Sequence, residues 1–460
     1  MSSSIPRRRV LLLYATTGYQ AEDFLRAACG LGVETLIGTD RCHRLDDPWR
    51  DGAIALRFED AKASLRTIVE EAGKAPIDAI VPVGDRPTVV AALAAQALGL
   101  PHNPPEAARA CRNKFLSRCL LREAGLRVPA FSCHQLGADP REVARETRYP
   151  CVLKPLALSG SRGVIRADDE REFVAAFQRL KALLQTPGIL ALREEANEKI
   201  LVEGFIEGRE VVLEGLLDRG RLRTLALFDK PDPLDGPFFE ETLYVTPSRL
   251  EGGTQEEVAR GAEEAARSLG LFQGPIHAEL RVNAEGPFVV EVAARSIGGI
   301  CSRALRFACG RSLEELILRH SLGLEIESSG LEGGASGVMM IPIPRGGILQ
   351  RVEGLDEAKR IPGVEDVVIT AKNRQVLVPL PEGASYLGFI FARDGSPERV
   401  ERALRRAHQA LRFAVTPDLT VNEPPLQSGL SFGNQGPGME GSLSLGEGAG
   451  GSTNRILPGR

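Results

Sequence analysis

Hydrophobic and polar positions along this chain follow two periods, and the points where one gives way to the other mark its elements. Residues 10–14, Val-Leu-Leu-Leu-Tyr, are apolar throughout, as in a strand covered on both faces. Thr16-Thr17-Gly18 and a helical pattern at Ala21–Gly30 follow. Residues 33–37 and Ala79–Val83 repeat the theme, the second leading into a helical stretch at Thr88–Leu98. Alternating strands and helices predict an open, Rossmann-like α/β unit with a parallel sheet over residues 8–102. The turn at 16–18 lacks the G-x-G-x-x-G spacing of dinucleotide sites and reads as a plain strand-to-helix connection.

A helical stretch at 105–124 leads through Gly125-Leu-Arg-Val-Pro129 into strands and hairpins that run to about Arg303. A helix at 313–322 follows, with Gly323 as its C-terminal cap. From Ala335 the pattern restarts with strands at 337–341, 364–370, 375–379 and 388–392, and an amphipathic helix at 397–413 closes a small α+β unit. The expected organisation is α/β and α+β multidomain: 8–102, 103–330 and 331–420, then a Gly- and Ser-rich tail, 421–460, too poor in large apolar residues to order.

At 460 residues the chain exceeds what one hydrophobic core organises, and 43% hydrophobic with 26% charged residues is the balance of a soluble protein. Fifty-seven basic against 61 acidic residues give a net charge of -4, which offers no global attraction to nucleic acid or an anionic membrane. The 10–14 run is too short to span a bilayer. Eight scattered cysteines without a C-x-x-C pair fit reduced thiols in a cytoplasmic protein.

Three segments carry candidate chemistry. In 274–295, two strand patterns flank the turn Asn283-Ala284-Glu285-Gly286. A hairpin centred near Glu285 sets Glu279 opposite Glu291, and alternation puts His277, Glu279, Arg281, Glu291 and Arg295 on one face. Opposed carboxylates repel unless a cation sits between them, and oxygen-only ligands suit Mg²⁺. The other reading is a solvated face on which Arg281 and Arg295 neutralise the glutamates. In the second segment Lys154 ends a buried-type strand, and Ser159-Gly160-Ser161-Arg162-Gly163 beyond it is a loop able to bring backbone N–H groups to phosphate oxygens. An ordinary hairpin loop with a surface lysine is equally compatible. In the third, a strand ends at Glu203, bends through Gly204 to Gly208, past Phe205 and Ile206, and resumes at Glu210, exposing backbone groups and a carboxylate to a planar polar ligand or simply connecting two strands.

The order, spacing and composition of these segments resemble the ATP-grasp superfamily, and within it the carboxylate–amine ligases of the L-amino acid ligase type, over residues 8–415. The resemblance implies that Lys114 and Lys154 bind phosphate and that Ser159, Gly160, Ser161 and Gly163 belong to a lid. It implies that Glu203, Phe205 and Ile206 meet adenine and Glu210 the ribose. Glu279 and Glu291 would hold Mg²⁺, with Mn²⁺ as a substitute, and Arg295 would steady the transferring phosphoryl group. His277 would touch substrate, assist amine deprotonation, or orient a neighbour. Where many ATP-grasp enzymes carry a metal-binding Asn, this chain has Ala293, one ligand fewer. The implied reaction activates a carboxylate as an acyl phosphate at the expense of ATP and passes it to an amine; its partners are small molecules, and homodimers are common in the family. The turn-rich, acidic and aromatic segment 228–244 is either a substrate loop or a structural one. A purine-pathway or carboxylase-like ligase and a non-catalytic nucleotide binder are the competing readings, although no biotin-attachment Met-Lys occurs.

Overall fold

Strand Arg9–Tyr14 pairs in parallel with Glu34–Thr39 on one side and Ala79–Val83 on the other, and Ala53–Ala55 completes a four-stranded sheet. This is the α/β unit expected at the N-terminal end. The computed structural model describes residues 8–417 apart from 16, 17, 19, 41–51 and 327–329, so the 16–18 turn in part, Cys42 and the 421–460 tail lie outside the described residues.

The helical stretch 105–124 is not one helix. It breaks into Pro105–Arg112 and Lys114–Glu123 at Asn113, whose side chain accepts the Leu116 N–H at 3.1 Å and so caps the second helix. The break fixes which way Lys114 points. Beyond it, strands Phe131–Gln135, Lys199–Gly204, Cys151–Pro155 and Ile165–Ala167 form an antiparallel sheet in that order. Helix Glu170–Leu184 covers it with Phe173, Phe177, Leu180 and Leu183. This helix, like Gly252–Ser268, replaces what the sequence suggested were strands and hairpins.

A second sheet has eight strands, ordered Gly286–Ala293, Gly274–Asn283, Arg209–Asp218, Arg221–Asp229, Leu243–Thr246, Ala335–Ile341, Gly388–Asp394 and Val364–Ile369. The last three come from the segment expected to stand apart as a small α+β unit; their edges instead extend the central sheet. One core joins Val10, Leu12 and Val81 of the first sheet to Phe228, Leu316, Met340 and Phe389. The final helix ends at Ala410 rather than 413, and Phe413 lies in a strand, Arg412–Thr416, paired with Gly347–Glu353. Apolar Phe413 and Val415 separated by one residue are the strand signal that the helical pattern masked.

Candidate active site

Between the two larger antiparallel sheets lies a cleft of about 370 Å³ lined by most of the residues singled out above. Glu279 and Glu291 face each other as cross-strand partners. The turn is two residues, Ala284 and Glu285, so an unbroken ladder would set Glu279 against Val290; a bulge at Val290 shifts the register by one and brings Glu291 across instead. The two glutamates are held by different cations. Glu291 Oε2 is 3.1 Å from Lys114 Nζ, which also donates to the Leu158 carbonyl at 2.9 Å. Glu279 is 3.5 Å from Lys230 Nζ and 3.3 Å from His277 Nε2. Burial pushes the pKa of Glu279 up, but Lys230 and His277 outweigh it and hold the carboxyl well below its usual range.

Neither arginine of the hairpin neutralises these glutamates by direct pairing. Arg281 binds Glu210 at 2.8 Å and the Ile206 carbonyl at 2.6 Å, while Arg295 forms a fork on Asp85 at 2.9 and 3.1 Å. Asp85 comes from the loop after Ala79–Val83, so the N-terminal sheet reaches into the cleft through this pair.

Lys154 Nζ sits 2.6 Å from Glu203 Oε2, and Arg118, one turn beyond Lys114, meets the other oxygen at 2.5 Å. Burial of Glu203 opposes its charge, yet the two cations prevail and draw its pKa down to about 2. The Glu203 carboxylate is therefore a hub for cations, and its backbone lies within the sheet, between Phe131 and Val152. Beside it Val152, Val164, Phe205, Leu234 and Phe239 form a small apolar cluster, with the Arg166 guanidinium 4.2 Å from the Phe205 ring centre. Glu210 has both oxygens engaged, by Lys230 and by Arg281.

His277 is buried: Nδ1 meets Glu214, and Nε2 meets Glu279. Burial would lower its pKa, but Glu214 and Glu279 raise it to about 9, and its Nε2 lies 3.3 Å from Glu279. Ser159, Gly160 and Ser161 line the cleft; Gly163 does not, facing Leu180 and Leu183 instead, and its N–H donates to the Pro381 carbonyl at 2.8 Å.

Sequence reasoning missed Asp85, Arg118, Glu214, Lys230 and Glu241. Lys230 Nζ is 2.6 Å from both Glu210 and Glu241, and the Tyr244 hydroxyl donates to Glu241 at 2.7 Å. Lys230, Glu241 and Tyr244 belong to the 228–244 segment whose density of acids and aromatics was visible without roles being assignable. Glu210, Glu241 and Glu279 bring carboxylate oxygens within 4.8 Å of one another around this ammonium. Cysteines of the described residues are free thiols, and no described helix is long and apolar enough to cross a membrane.

Comparison with known proteins matches residues 147–304 to an ATP-grasp domain, 25–102 to an ATP-grasp N-terminal domain and 339–416 to an L-amino acid ligase C-terminal domain 2. The chain is 26% identical to an uncharacterized protein of Sinorhizobium fredii, over 72% of this chain and 67% of that one. It is 26% identical to alanine–anticapsin ligase of Bacillus subtilis over 55% of each, so the match spans about half of that enzyme. The crystal structure of an L-amino acid ligase from Bacillus licheniformis superposes with a TM-score of 0.75 at 27% identity, covering 90% of this chain and 100% of that one. An N5-carboxyaminoimidazole ribonucleotide synthetase from Thermotoga maritima, 17% identical with a TM-score of 0.64 over 89% of this chain and 100% of the other, shares the fold alone. By its three successive matches and the architecture that joins them, the chain belongs to the ATP-grasp superfamily, with the domain organisation of the L-amino acid ligase type.

Proposed function

We propose that this protein is an ATP-dependent carboxylate–amine ligase acting on amino acids in the cytoplasm. The observation that carries the reading is the convergence of Glu279, Glu291, Lys114 and Lys154 on one cleft with an apolar slot at its end. That slot, walled by Val152, Phe205 and Phe239, suits a flat heterocycle, with the chain at 204–206, just past the end of the strand, beside it. Lys114 and Lys154 would meet phosphate oxygens, exchanging their present carboxylate and carbonyl partners for stronger anions.

Glu279 and Glu291 offer hard oxygen donors facing each other across the ladder, and so fit Mg²⁺; Ala293 adds none, being buried beside His277 on the ladder. The ion would neutralise β- and γ-phosphate charge. The protein's own part is positioning: Arg295, fixed by Asp85, presents donors toward a carboxylate or phosphoryl group, and His277 holds Glu279 in place. An amino group fits best at Glu241, whose carboxyl is pushed up by burial and by Glu279 and Glu210 despite Lys230, so an incoming ammonium would relieve it. The relatives named for joining amino acids support an amino acid as the acid.

ADP release should appear for some pair within a panel of amino acid pairs and should require Mg²⁺. Glu291→Gln should lower it roughly 100-fold or more while leaving the unfolding midpoint near that of the parent. A Glu291→Gln protein with full substrate-dependent ADP release would overturn the reading.

A further inference from the structure

The glycine-rich loop is fastened at one end. Gly160, Ser161 and Gly163 take positive φ values of 66°, 53° and 75°, a backbone that belongs to neither strand nor helix. The Gly163 N–H donates to Pro381 O and the Arg162 Nε to Glu382 O, each at 2.8 Å. Behind the loop, Arg179 on helix Glu170–Leu184 grips the Glu382 carboxylate with two parallel bonds, Nε at 2.6 Å and Nη2 at 2.9 Å. Arg179 is itself steadied over the Phe238 ring, 5.0 Å from its centre. The same short stretch of chain then continues to Ala384 and Tyr386, which line the cleft, with the Tyr386 ring tilted against Phe389, centres 6.1 Å apart. A loop over the phosphates and a wall of the substrate end are thus two parts of one strap.

We propose that Arg179 and Glu382 are positioning residues that latch the glycine-rich loop shut through segment 379–386, so that the loop stays closed while an acyl phosphate awaits its amine. This rests on the ligase reading above. The physical need is specific: after the carboxylate takes the γ-phosphoryl group and ADP forms, water entering the cleft cleaves the acyl phosphate to free acid and phosphate, and one ATP is consumed without an amide. An amine attacking the same carbon expels the same phosphate but leaves the amide. The ratio of phosphate released to amide formed therefore reports how well the loop excludes water. The pair is half-exposed, so its energy is small, but a loop lacking a ladder needs little to shift its opening equilibrium.

The test uses the full chain with Arg179→Ala, Glu382→Ala, and the exchanged pair Arg179→Glu with Glu382→Arg. Hydrogen exchange of the peptide covering 158–164 should quicken roughly threefold in each single variant, and return toward the parent in the exchanged pair. With a productive acid and amine, the phosphate-to-amide ratio should rise by a similar factor in the single variants and fall back in the exchanged pair. Single variants with the parent's exchange rate and ratio overturn the latch. A parent that releases no ADP with any substrate pair refutes the ligase reading instead, and the exchange measurement, made without turnover, still decides whether the latch exists.

Discussion

The Lys230 side chain is 3% exposed, and its ammonium lies among Glu210, Glu241 and Glu279. Burial alone would strip its proton; three carboxylates reverse that and hold its pKa well above the usual lysine value. Its charge also offsets the repulsion among three carboxyl groups whose oxygens lie within 4.8 Å of one another. Lys230→Met keeps the length of the side chain and removes the charge. The variant should lose about 3–5 kcal/mol of stability in denaturant unfolding without divalent ions, the cost of leaving buried charges uncompensated. Millimolar Mg²⁺ should then raise its melting temperature by more than it raises the parent's, because a cation can enter where the ammonium was. Equal unfolding midpoints in metal-free buffer would show that the carboxylates do not depend on Lys230.

At the scale of elements, Glu203 ties a strand to its neighbours: its strand, Lys199–Gly204, is joined to Cys151–Pro155 through Lys154 and to helix Lys114–Glu123 through Arg118. Its pKa falls from 4.5 to about 2 on folding, so its contribution is fully present above pH 4.5 and is lost as pH falls through about 2. A shift of that size corresponds to about 3 kcal/mol. The stability gap between the parent and Glu203→Gln should accordingly be widest above pH 5 and narrow toward pH 2, read from unfolding curves at stepped pH; a constant gap would contradict the linkage. Elements differ in how far the sequence reveals them. The strand Ala79–Val83 and helix Thr88–Leu98 are legible because uninterrupted apolar runs have one solution in a covered parallel sheet. Helix Gly252–Ser268 is not, since it opens on two glycines and buries mostly alanine at Ala262, Ala265 and Ala266. The facing of Glu279 and Glu291 was legible through a compensation: a turn centre placed half a residue late and an unseen bulge at Val290 cancel. Pairings such as Arg295 with Asp85, 210 positions apart, leave no periodic trace, because only the folded chain brings the two together.

That long-range pair is where the whole molecule bears on the chemistry. The N-terminal sheet shares its core with the central one through Val10, Leu12 and Val81, and it projects Asp85 from the end of Ala79–Val83 onto Arg295; Arg303 adds a second clasp on Asp23, at 2.9 and 3.0 Å. The two clasps differ in kind. Asp23–Arg303 stands outside the cleft lining and holds one body against the other, whereas Asp85 lies in the lining and fixes the plane in which Arg295 offers its donors. Asp85→Asn retains the shape and one acceptor but discards the charge that, with burial working against it, keeps Arg295 firmly protonated and oriented. The expected outcome is a fall in kcat of roughly 10–100-fold, the usual penalty for removing a group that orients an active side chain, with the KM for ATP little changed. Asp23→Asn, by contrast, should lower the melting temperature and leave kcat alone. If both variants lose only stability, Arg295 is a strut between bodies and the transferring group must be steadied elsewhere; if Asp85→Asn alone slows turnover, the first sheet is part of the catalytic apparatus and not merely its support.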